Sequence, residues 1–161
     1  MISLVRVDDR LIHGQVVTQW ISHTQANIIY IVDDTLANDP FMKKMLISLA
    51  PAGTTVKVVT TQAACENMHK VQDNKDLRAI ILTNTPNPVL KMIQAGITIP
   101  QVVLGGMGAR PERKRIFKTV AISESEKGDI EAIMEYGVKV VCHIVPYTPE
   151  VDVLECLKEF K

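Results

Sequence analysis

Short apolar runs alternate with helical patterns along most of the chain. Strands are predicted at the runs Ile2 to Val7, Ile28 to Val32, Val56 to Val59, Leu77 to Leu82 and Ile99 to Leu104. Most of these runs lack the polar–apolar alternation of a half-exposed strand, which indicates burial on both faces. Because a helical pattern separates each run from the next, we expect right-handed crossovers and a mainly parallel sheet.

Local capping signals place helices between these runs. The pair Asp39–Pro40 predicts an N-cap followed by a proline in the first helical position, and Asn87–Pro88 predicts the same start later in the chain. Gly96 ends the second of these helices, as a C-terminal glycine often does. Two further helices are predicted from Gly14 to His23 and from Thr61 to Val71. The first helix that starts with proline carries an apolar stripe that we expect to face the core, at Met42, Met45, Leu46 and Leu49.

The pattern changes in the last third of the chain. We expect a loop from Gly105 to Lys118, a short edge strand from Thr119 to Ile122 and a helix from about Glu126 to Tyr136. The run Val138 to Val145 predicts the last strand, and Thr148–Pro149 predicts the cap of a terminal helix.

Composition agrees with a layered architecture and narrows the function. A length of 161 residues suits a single domain, 1–161, and aromatic residues at 4% imply an aliphatic core. The predicted fold is an open, doubly wound, mainly parallel α/β sheet with helices on both faces and an antiparallel strand near the C-terminus. Eighteen basic residues balance eighteen acidic ones, which argues against nucleic-acid binding. The three cysteines form no Cys-x-x-Cys pair, which argues against a disulfide framework or a cysteine-only zinc site.

The start of the sequence and its hydropathy predict a soluble, cytoplasmic protein. The segment Met1–Arg6 becomes charged too soon for a signal peptide. No apolar run reaches the ~18 residues that would span a bilayer.

In a sheet of this kind, binding sites lie beyond the carboxyl ends of the strands. Five turns meet that condition: Asp8–Gly14, Asp33–Thr35, Thr60–Gln62, Thr83–Pro86 and Gly105–Arg110. The first turn is the richest in chemistry, yet it lacks Gly-x-Gly-x-x-Gly, which argues against dinucleotide binding. It also lacks Gly-Lys-Ser/Thr, which excludes a Walker-type phosphate loop.

The first turn holds an imidazole, His13, at the start of a helix and three residues after Arg10. A helix start offers unpaired N–H groups and a partial positive charge, which favour a bound phosphoryl group and disfavour imidazolium. The neutral ring keeps a nucleophilic lone pair, and Arg10 can donate a planar fork to phosphoryl oxygens. Asp8 or Asp9 can accept a hydrogen bond from the second ring nitrogen, and Gly14 lets backbone approach. The turn therefore predicts a reversible phosphoryl carrier.

Other functions fit the same turn. A small α/β hydrolase or isomerase would use His13 as a general acid–base, and a non-catalytic module would bind an anion there. The chain has no Gly-x-Ser-x-Gly turn, which weighs against a hydrolase. A magnesium site built from Asp8, Asp9, Asp33 and Asp34 is disfavoured, because no lysine stands at the end of a late strand to complete it.

Two later turns supply further candidates. Asp33 and Asp34 follow the second strand, where they either orient Arg10 or His13 or approach the next helix as ordinary helix-start carboxylates. Gly105–Gly106 either brings backbone close to the phosphoryl group or forms a flexible turn.

Docking surfaces have two candidates. The segment Arg110–Lys118 holds five basic residues against one acid, Glu112. Such a segment either docks an acidic partner or anionic lipid or forms a solvated face. Trp20, seven residues after His13, either packs under the first turn or joins a docking surface.

The first turn and its flanks resemble the signature of the enzyme IIB subunits of the bacterial phosphoenolpyruvate-dependent sugar phosphotransferase system. The matching residues run from Arg6 to Val16, RVDDRLIHGQV, and the match is to the mannose, fructose, sorbose and N-acetylgalactosamine branch. Leu82–Asn84 and Val103–Met107 resemble two later motifs of that branch. The resemblance covers the whole chain in length and in strand–helix order.

This resemblance implies a reaction and partners. His13 would carry the phosphoryl group on Nδ1, and Arg10 would stabilise the group in transfer. The donor would be a phosphohistidine on a IIA protein or domain, and the acceptor a sugar hydroxyl, reached as the sugar enters through the IIC and IID membrane subunits. The residues expected to bind or orient the group are Asp8, Asp9, Gly14, Gln15, Asp33, Gly105 and Gly106.

The resemblance also implies a location and an assembly. The protein would associate with the inner face of the cell membrane through its partner subunits, and a homodimer is one expected form. No metal, nucleotide or other cofactor is implied.

Overall fold

A computed structural model describes residues 1–161, and a seven-stranded sheet runs through its centre. In chain order the strands are β1 (Ile2–Asp8), β2 (Ile28–Val32), β3 (Thr55–Val59), β4 (Ala79–Thr83), β5 (Gln101–Gly106), β6 (Lys114–Phe117), β7 (Val120–Ile122), β8 (Lys139–Cys142) and β9 (Val151–Asp152). The sheet has the order β3-β2-β4-β1-β5-β8-β9, and only the β8–β9 pair is antiparallel. Strands β6 and β7 form a separate antiparallel hairpin.

Helices cover both faces of this sheet. In chain order they are α1 (Gly14–Thr24), α2 (Asp34–Ala37), α3 (Pro40–Ser48), α4 (Thr61–Asp73), α5 (Asn87–Gln94), α6 (Glu124–Glu135) and α7 (Val153–Leu157). Buried side chains of α4, α5, α6 and α7 pack in one core, and those of α1 and α3 pack in a second, smaller one. The predicted fold, doubly wound and mainly parallel with an antiparallel C-terminal strand, is confirmed. None of the helices is long and apolar enough to cross a membrane.

Strand β1 divides its side chains between the two cores. Val5 and Val7 belong to the larger core, whereas Leu4 belongs to the smaller one. Because successive strand residues point to opposite faces, Arg6 and Asp8 share the face of Leu4, beneath α1. Both are buried, although most charged residues stay at a protein surface.

The end of β1 lies in the middle of the sheet. Val7 pairs with Thr83 of β4, and Asp8 pairs with Gly106 of β5, so the first turn is flanked by the carboxyl ends of two neighbouring strands. The Asp9 N–H continues the ladder by donating to the Gly106 carbonyl at 2.8 Å. This placement is where an open parallel sheet forms its binding site.

Several predicted boundaries were wrong. The segment expected as a loop contains β6, whose only buried residue is Ile116, so the strand has no continuous apolar run to reveal it. Helix α5 has Pro86 as its N-cap and Asn87 as its first residue, and no side chain caps this end. Helix α7 starts only at Val153, after the cap residue Asp152, whose side chain accepts from the Leu154 N–H. Strand β8 ends at Cys142, short of the predicted boundary.

The apolar stripe of α3 is mostly at the surface. Leu46 is buried, but Met45 is 39% exposed and Leu49 is 48% exposed, so the prediction that the stripe faces the core was wrong there. One side of α3 packs on the sheet through Leu46, Met42 is half-buried, and the other apolar side chains of this segment are exposed. We call the exposed group the α3 patch: Phe41, Met45, Ile47 and Leu49.

Candidate functional site

The turn between β1 and α1 is tight and leaves His13 at the helix start. The Leu11 N–H donates to the Asp8 carbonyl at 3.0 Å, and Leu11 and Gly14 have φ angles of 56° and 43°. Glycine is the residue that adopts this left-handed conformation most readily, which accounts for Gly14. His13 is the N-cap, with extended backbone, but its side chain does not cap the helix and no acidic residue stands in the first turn. The first amides of α1 therefore have no side-chain partner.

A buried carboxylate holds the His13 ring. Nε2 of His13 lies 3.0 Å from Oδ2 of Asp8, whose side chain is fully buried. Oδ1 of Asp8 accepts from the Arg10 N–H at 3.1 Å, and Oδ2 lies 3.4 Å from Nη2 of Arg6. Because the Arg6 guanidinium and the Arg10 N–H both donate to this group, the Asp8 side chain acts here as a hydrogen-bond acceptor. Nε2 of His13 therefore carries the ring proton, and Nδ1 keeps its lone pair.

The Arg10 side chain has room to receive an anion. It is 54% exposed, and its Nε lies 3.5 Å from Oδ1 of Asp8, while its two terminal nitrogens have no protein partner. The side chain lines a cavity of about 520 Å³ beside the turn, together with Asn84 and Asp33. Two donors of a planar fork are thus free on a side chain that contacts the same Asp8 carboxylate as the His13 ring.

Asp9 points away from His13. Its Oδ2 accepts from the Gly108 N–H at 2.8 Å and from Nη1 of Arg113 at 3.2 Å. Arg113 also binds Glu126 with two bonds of 2.8 and 2.7 Å and donates to the Gly108 carbonyl at 2.9 Å. The geometry therefore gives the histidine-orienting contact to Asp8 and a loop-anchoring contact to Asp9.

Opposite charges set the pKa directions of Arg113 and Glu126, the two ends of this network. Burial alone would lower the pKa of Arg113, but hydrogen bonds and charges from Glu126 and Asp9 outweigh it and raise that pKa. Burial would likewise raise the pKa of Glu126, yet Arg113 and the Ser123 N–H lower it below its ordinary value. Arg113 and Glu126 are therefore ionised at neutral pH.

Gly105 and Gly106 make room for the charged side chains of β1. A Cβ on Gly105 would lie 2.0 Å from Cζ of Arg6, and a Cβ on Gly106 would lie 2.7 Å from Oδ1 of Asp8. Any side chain at either position would collide with this pair. Their closest neighbours are thus Arg6 and Asp8, a relationship that the sequence did not suggest.

The remaining candidates lie around the turn without touching His13. Asp33 caps α2 by accepting from the Leu36 N–H at 2.9 Å, although it also lines the Arg10 cavity. Asp34 accepts from the Thr61 N–H at 2.7 Å. Gln15 is exposed on the first turn of α1 and has no side-chain bond. No group of three or more His, Cys, Asp or Glu side chains is arranged to hold a metal ion.

Sequence reasoning missed Arg6. Its side chain is 2% exposed, and Nη1 donates to the His143 carbonyl at 2.8 Å. The guanidinium carbon lies 5.5 Å from the centre of the Trp20 ring, so Trp20 packs on the Arg6 side chain of β1. Burial lowers the pKa of Arg6, and the Asp8 charge opposes that change. The available signal was a charged residue inside an apolar strand, two positions before Asp8 and hence on the same face.

The basic segment is divided by burial. Arg113 is buried in the network with Glu126 and cannot belong to a docking surface. Lys114 donates to the carbonyl of Lys161 and lies over the Phe160 ring, 5.0 Å from its centre. The exposed bases of the segment that remain are Arg110, Arg115 and Lys118.

Comparison with known proteins identifies the family. Residues 2–161 match the family model described as PTS system sorbose subfamily IIB component. The sorbose-specific EIIB component of Klebsiella pneumoniae is 34% identical over 158 residues, which cover 98% of this chain and 96% of that protein. The mannose-specific EIIAB component of Escherichia coli strain K12 is 29% identical over 162 residues, which cover 99% of this chain and 49% of that protein.

A solved structure agrees over the whole length. The crystal structure of the IIBSor domain of the sorbose permease from Klebsiella pneumoniae superposes with a TM-score of 0.92 at 33% identity, covering 100% of this chain and 98% of that one. The resemblance seen in the sequence is therefore confirmed at the level of family and fold. The chain belongs to the sorbose-subfamily IIB components of the sugar phosphotransferase system.

Proposed function

We propose that this chain is a phosphocarrier whose His13 Nδ1 accepts a phosphoryl group from a phosphohistidine on a IIA protein or domain. It then passes the group to a hydroxyl of a sugar that enters through IIC and IID membrane subunits. One observation carries the proposal: Asp8 binds Nε2 of His13 at 3.0 Å, which leaves Nδ1 as the free ring nitrogen at the start of α1. Family membership supports it, because IIB components belong to a phosphotransferase system.

In the first step the lone pair of Nδ1 attacks the phosphorus of the donor phosphohistidine. A new N–P bond forms on His13 while the donor's N–P bond breaks, and that bonding pair returns to the donor ring. The His13 ring then carries a positive charge, with its proton still on Nε2. The Asp8 carboxylate stabilises that charge, as an aspartate does beside a catalytic histidine.

The phosphoryl oxygens need donors during transfer, because charge spreads over them in the transition state. The two free terminal nitrogens of Arg10 and the amides of the first turn of α1 would supply these donors. Backbone amides at a helix start favour an anion through both hydrogen bonds and the helix dipole.

In the second step the sugar hydroxyl oxygen attacks the phosphorus. The N–P bond of phospho-His13 breaks, its electron pair returns to Nδ1, and the hydroxyl proton is released to solvent. The ring becomes neutral again, with the proton still held on Nε2 by Asp8. No oxidant, nucleotide or metal is needed for either step.

The proposed partners would approach across the α3 patch. Two of its residues, Met45 and Leu49, line the same cavity as Arg10. Phe41, at the start of α3, is 75% exposed. Exposed apolar patches beside a reactive group are typical of protein interfaces. Such contacts, with IIC and IID at the membrane, would hold the chain at the inner face.

Phosphoryl incorporation tests the proposal. Incubation with phosphoenolpyruvate, the general carrier proteins and a IIA partner should add one phosphoryl mass at His13 that is labile to acid and stable to base. His13→Ala should remove it, and His69→Ala, which replaces an exposed histidine on α4 away from the turn, serves as the matched control. Absence of incorporation, or incorporation that survives His13→Ala, would refute the proposal in favour of acid–base chemistry or simple anion binding.

A further inference from the structure

The buried side chain of Arg6 has no role in the transfer steps described above. Nη2 of Arg6 lies 3.4 Å from Oδ2 of Asp8, and the same oxygen lies 3.0 Å from Nε2 of His13. One carboxylate oxygen thus stands between a permanent cation and the histidine ring. Arg6 and Asp8 have side-chain exposures of 2% and 0%, so little solvent screens this interaction.

The surrounding structure is built to keep a guanidinium there. Gly105 leaves the space, since a Cβ would lie 2.0 Å from Cζ of Arg6, and Trp20 covers the group at 5.5 Å. The His143 carbonyl accepts from Nη1, yet Nε has no partner. Burying a charge with an unpaired donor is unfavourable, and an apolar side chain of similar volume is often as stable. Stability alone therefore gives a weak reason for an arginine at this position.

We propose that Arg6 is a positioning residue that balances the Asp8 carboxylate and thereby keeps the His13 ring ready both to accept and to release a phosphoryl group. This inference rests on the proposed function. A lone buried carboxylate would favour a positive ring, either with a proton on Nδ1 or with a phosphoryl group there. A proton would block acceptance, and an overstabilised phosphohistidine would slow release. The Arg6 charge opposes both.

Among the other charged groups near the turn, Arg10 also contacts Asp8, through Nε at 3.5 Å from Oδ1, but its side chain is half-exposed, so solvent screens its charge. The remaining groups bind elsewhere. Asp9 binds Arg113, and Asp33 caps α2. His143 directs its ring to the Thr148 carbonyl at 2.6 Å. Arg6 is therefore the one buried cation that contacts the carboxylate on His13.

The test is a titration of the His13 ring in the unphosphorylated chain, followed by NMR of its carbon and nitrogen nuclei. Arg6→Met should move the midpoint upward by about one pH unit or more, because it removes an opposing charge one oxygen away. Arg6→Lys, which keeps the charge, should restore most of the wild-type midpoint. Arg113→Met is the matched control: it also removes a buried arginine, but its aspartate does not touch His13. A folded Arg6→Met chain with the wild-type midpoint would overturn the inference.

A second comparison applies if Arg6→Met does not fold. Arg6→Met combined with Asp8→Asn leaves no buried unpaired charge from this pair. Its His13 midpoint should lie above that of Asp8→Asn alone, since only the cation differs between them. Equal midpoints in those two chains would also overturn the inference.

Transfer kinetics separate this inference from the proposed function. With a phosphorylated IIA donor, Arg6→Met should raise the equilibrium share of phospho-His13 and slow onward transfer to sugar by about tenfold, which corresponds to one pH unit of midpoint shift. The titration requires no donor, so it tests Arg6 even if His13 takes up no phosphoryl group. A shifted midpoint with an unchanged phosphoryl equilibrium would contradict the role in transfer.

Discussion

Arg6 and Arg113 are both buried, and each binds one of two adjacent aspartates in the turn after β1. All three side-chain nitrogens of Arg113 donate hydrogen bonds, of 2.7 to 3.2 Å, to oxygens of Glu126, Asp9 and Gly108. Arg6 makes one bond of 2.8 Å and one long contact of 3.4 Å, and its Nε is unpaired. A fully satisfied network rigidifies a structure. A buried charge pair with an unpaired donor is poorly explained by stability alone.

The pKa values of the two arginines also shift in opposite directions. Partners of Arg113 outweigh burial and raise its pKa, whereas burial prevails at Arg6 and lowers its pKa. Asp9 and Arg113 thus bind Gly108, whereas Asp8 contacts both Arg6 and His13. Under the proposed function, the adjacent carboxylates would serve one chemical and one architectural purpose.

The largest expected effect is the difference in phosphoryl uptake between substitutions of Asp8 and Asp9. Asp8→Asn should slow phosphoryl uptake by about 10²–10⁴-fold, because the ring loses both the group that fixes its tautomer and the charge that stabilises the cationic intermediate. Asp9→Asn should slow it by less than about tenfold, because Asp9 does not contact the ring. Rapid-quench single-turnover transfer measures both, and equal losses would break the comparison.

Removal of Arg113 should mainly cost stability. Arg113→Met leaves Glu126 and Asp9 without their partner, and breaking a buried pair in this way costs about 3–5 kcal/mol in the free energy of unfolding. Urea denaturation with an unchanged m-value would measure the loss. A cost below about 1 kcal/mol would mean that the network does not anchor the loop.

A substitution of the exposed Arg10 should affect transfer but not stability. Arg10→Lys keeps the charge but loses the fork that would bind two phosphoryl oxygens, so transfer should slow by about tenfold while stability stays unchanged. Single-turnover transfer and thermal unfolding measured on the same preparation check both halves. Unchanged transfer would remove Arg10 from the mechanism.

Acid should remove the stabilising contribution of Glu126 to the Arg113 network. The folded chain has a Glu126 pKa below the ordinary value of 4.5, so its contribution to stability is complete above that pH and is lost as pH falls through the lowered folded pKa. Glu126→Gln should therefore be less stable than wild type at neutral pH, and the difference should shrink below about pH 4.5. Urea midpoints across pH measure this, and a constant difference would contradict it.

The smallest effect is expected at the surface. Replacing the exposed bases Arg110, Arg115 and Lys118 by serine should weaken partner association by about threefold or less at low salt, and the difference should vanish at high salt. Titration calorimetry with the IIA partner at two ionic strengths would measure it. An affinity equal to wild type at low salt would leave these bases as a solvated face.

The sequence predicted the sheet well because its strands are continuous apolar runs between clear helix signals. It failed at β6, a four-residue strand with a single buried residue, Ile116, and at α3, where most of the apolar residues are exposed. His13 could be singled out from the turn alone. The choice between Asp8 and Asp9 could not, because it depends on Arg113, which lies 104 residues further along the chain. Arg6 was visible as an anomaly, but its partners come together only in the folded sheet.

Because only Nδ1 of the His13 ring is free, the order of the two proposed transfer steps is constrained. Asp8 occupies the other nitrogen, so the donor and the sugar would have to use one and the same atom in turn. Under the proposed function, both substrates could not be engaged at that atom at once, and the carrier would follow ping-pong kinetics. The chain would work as a relay whose two encounters alternate, each ending before the next begins.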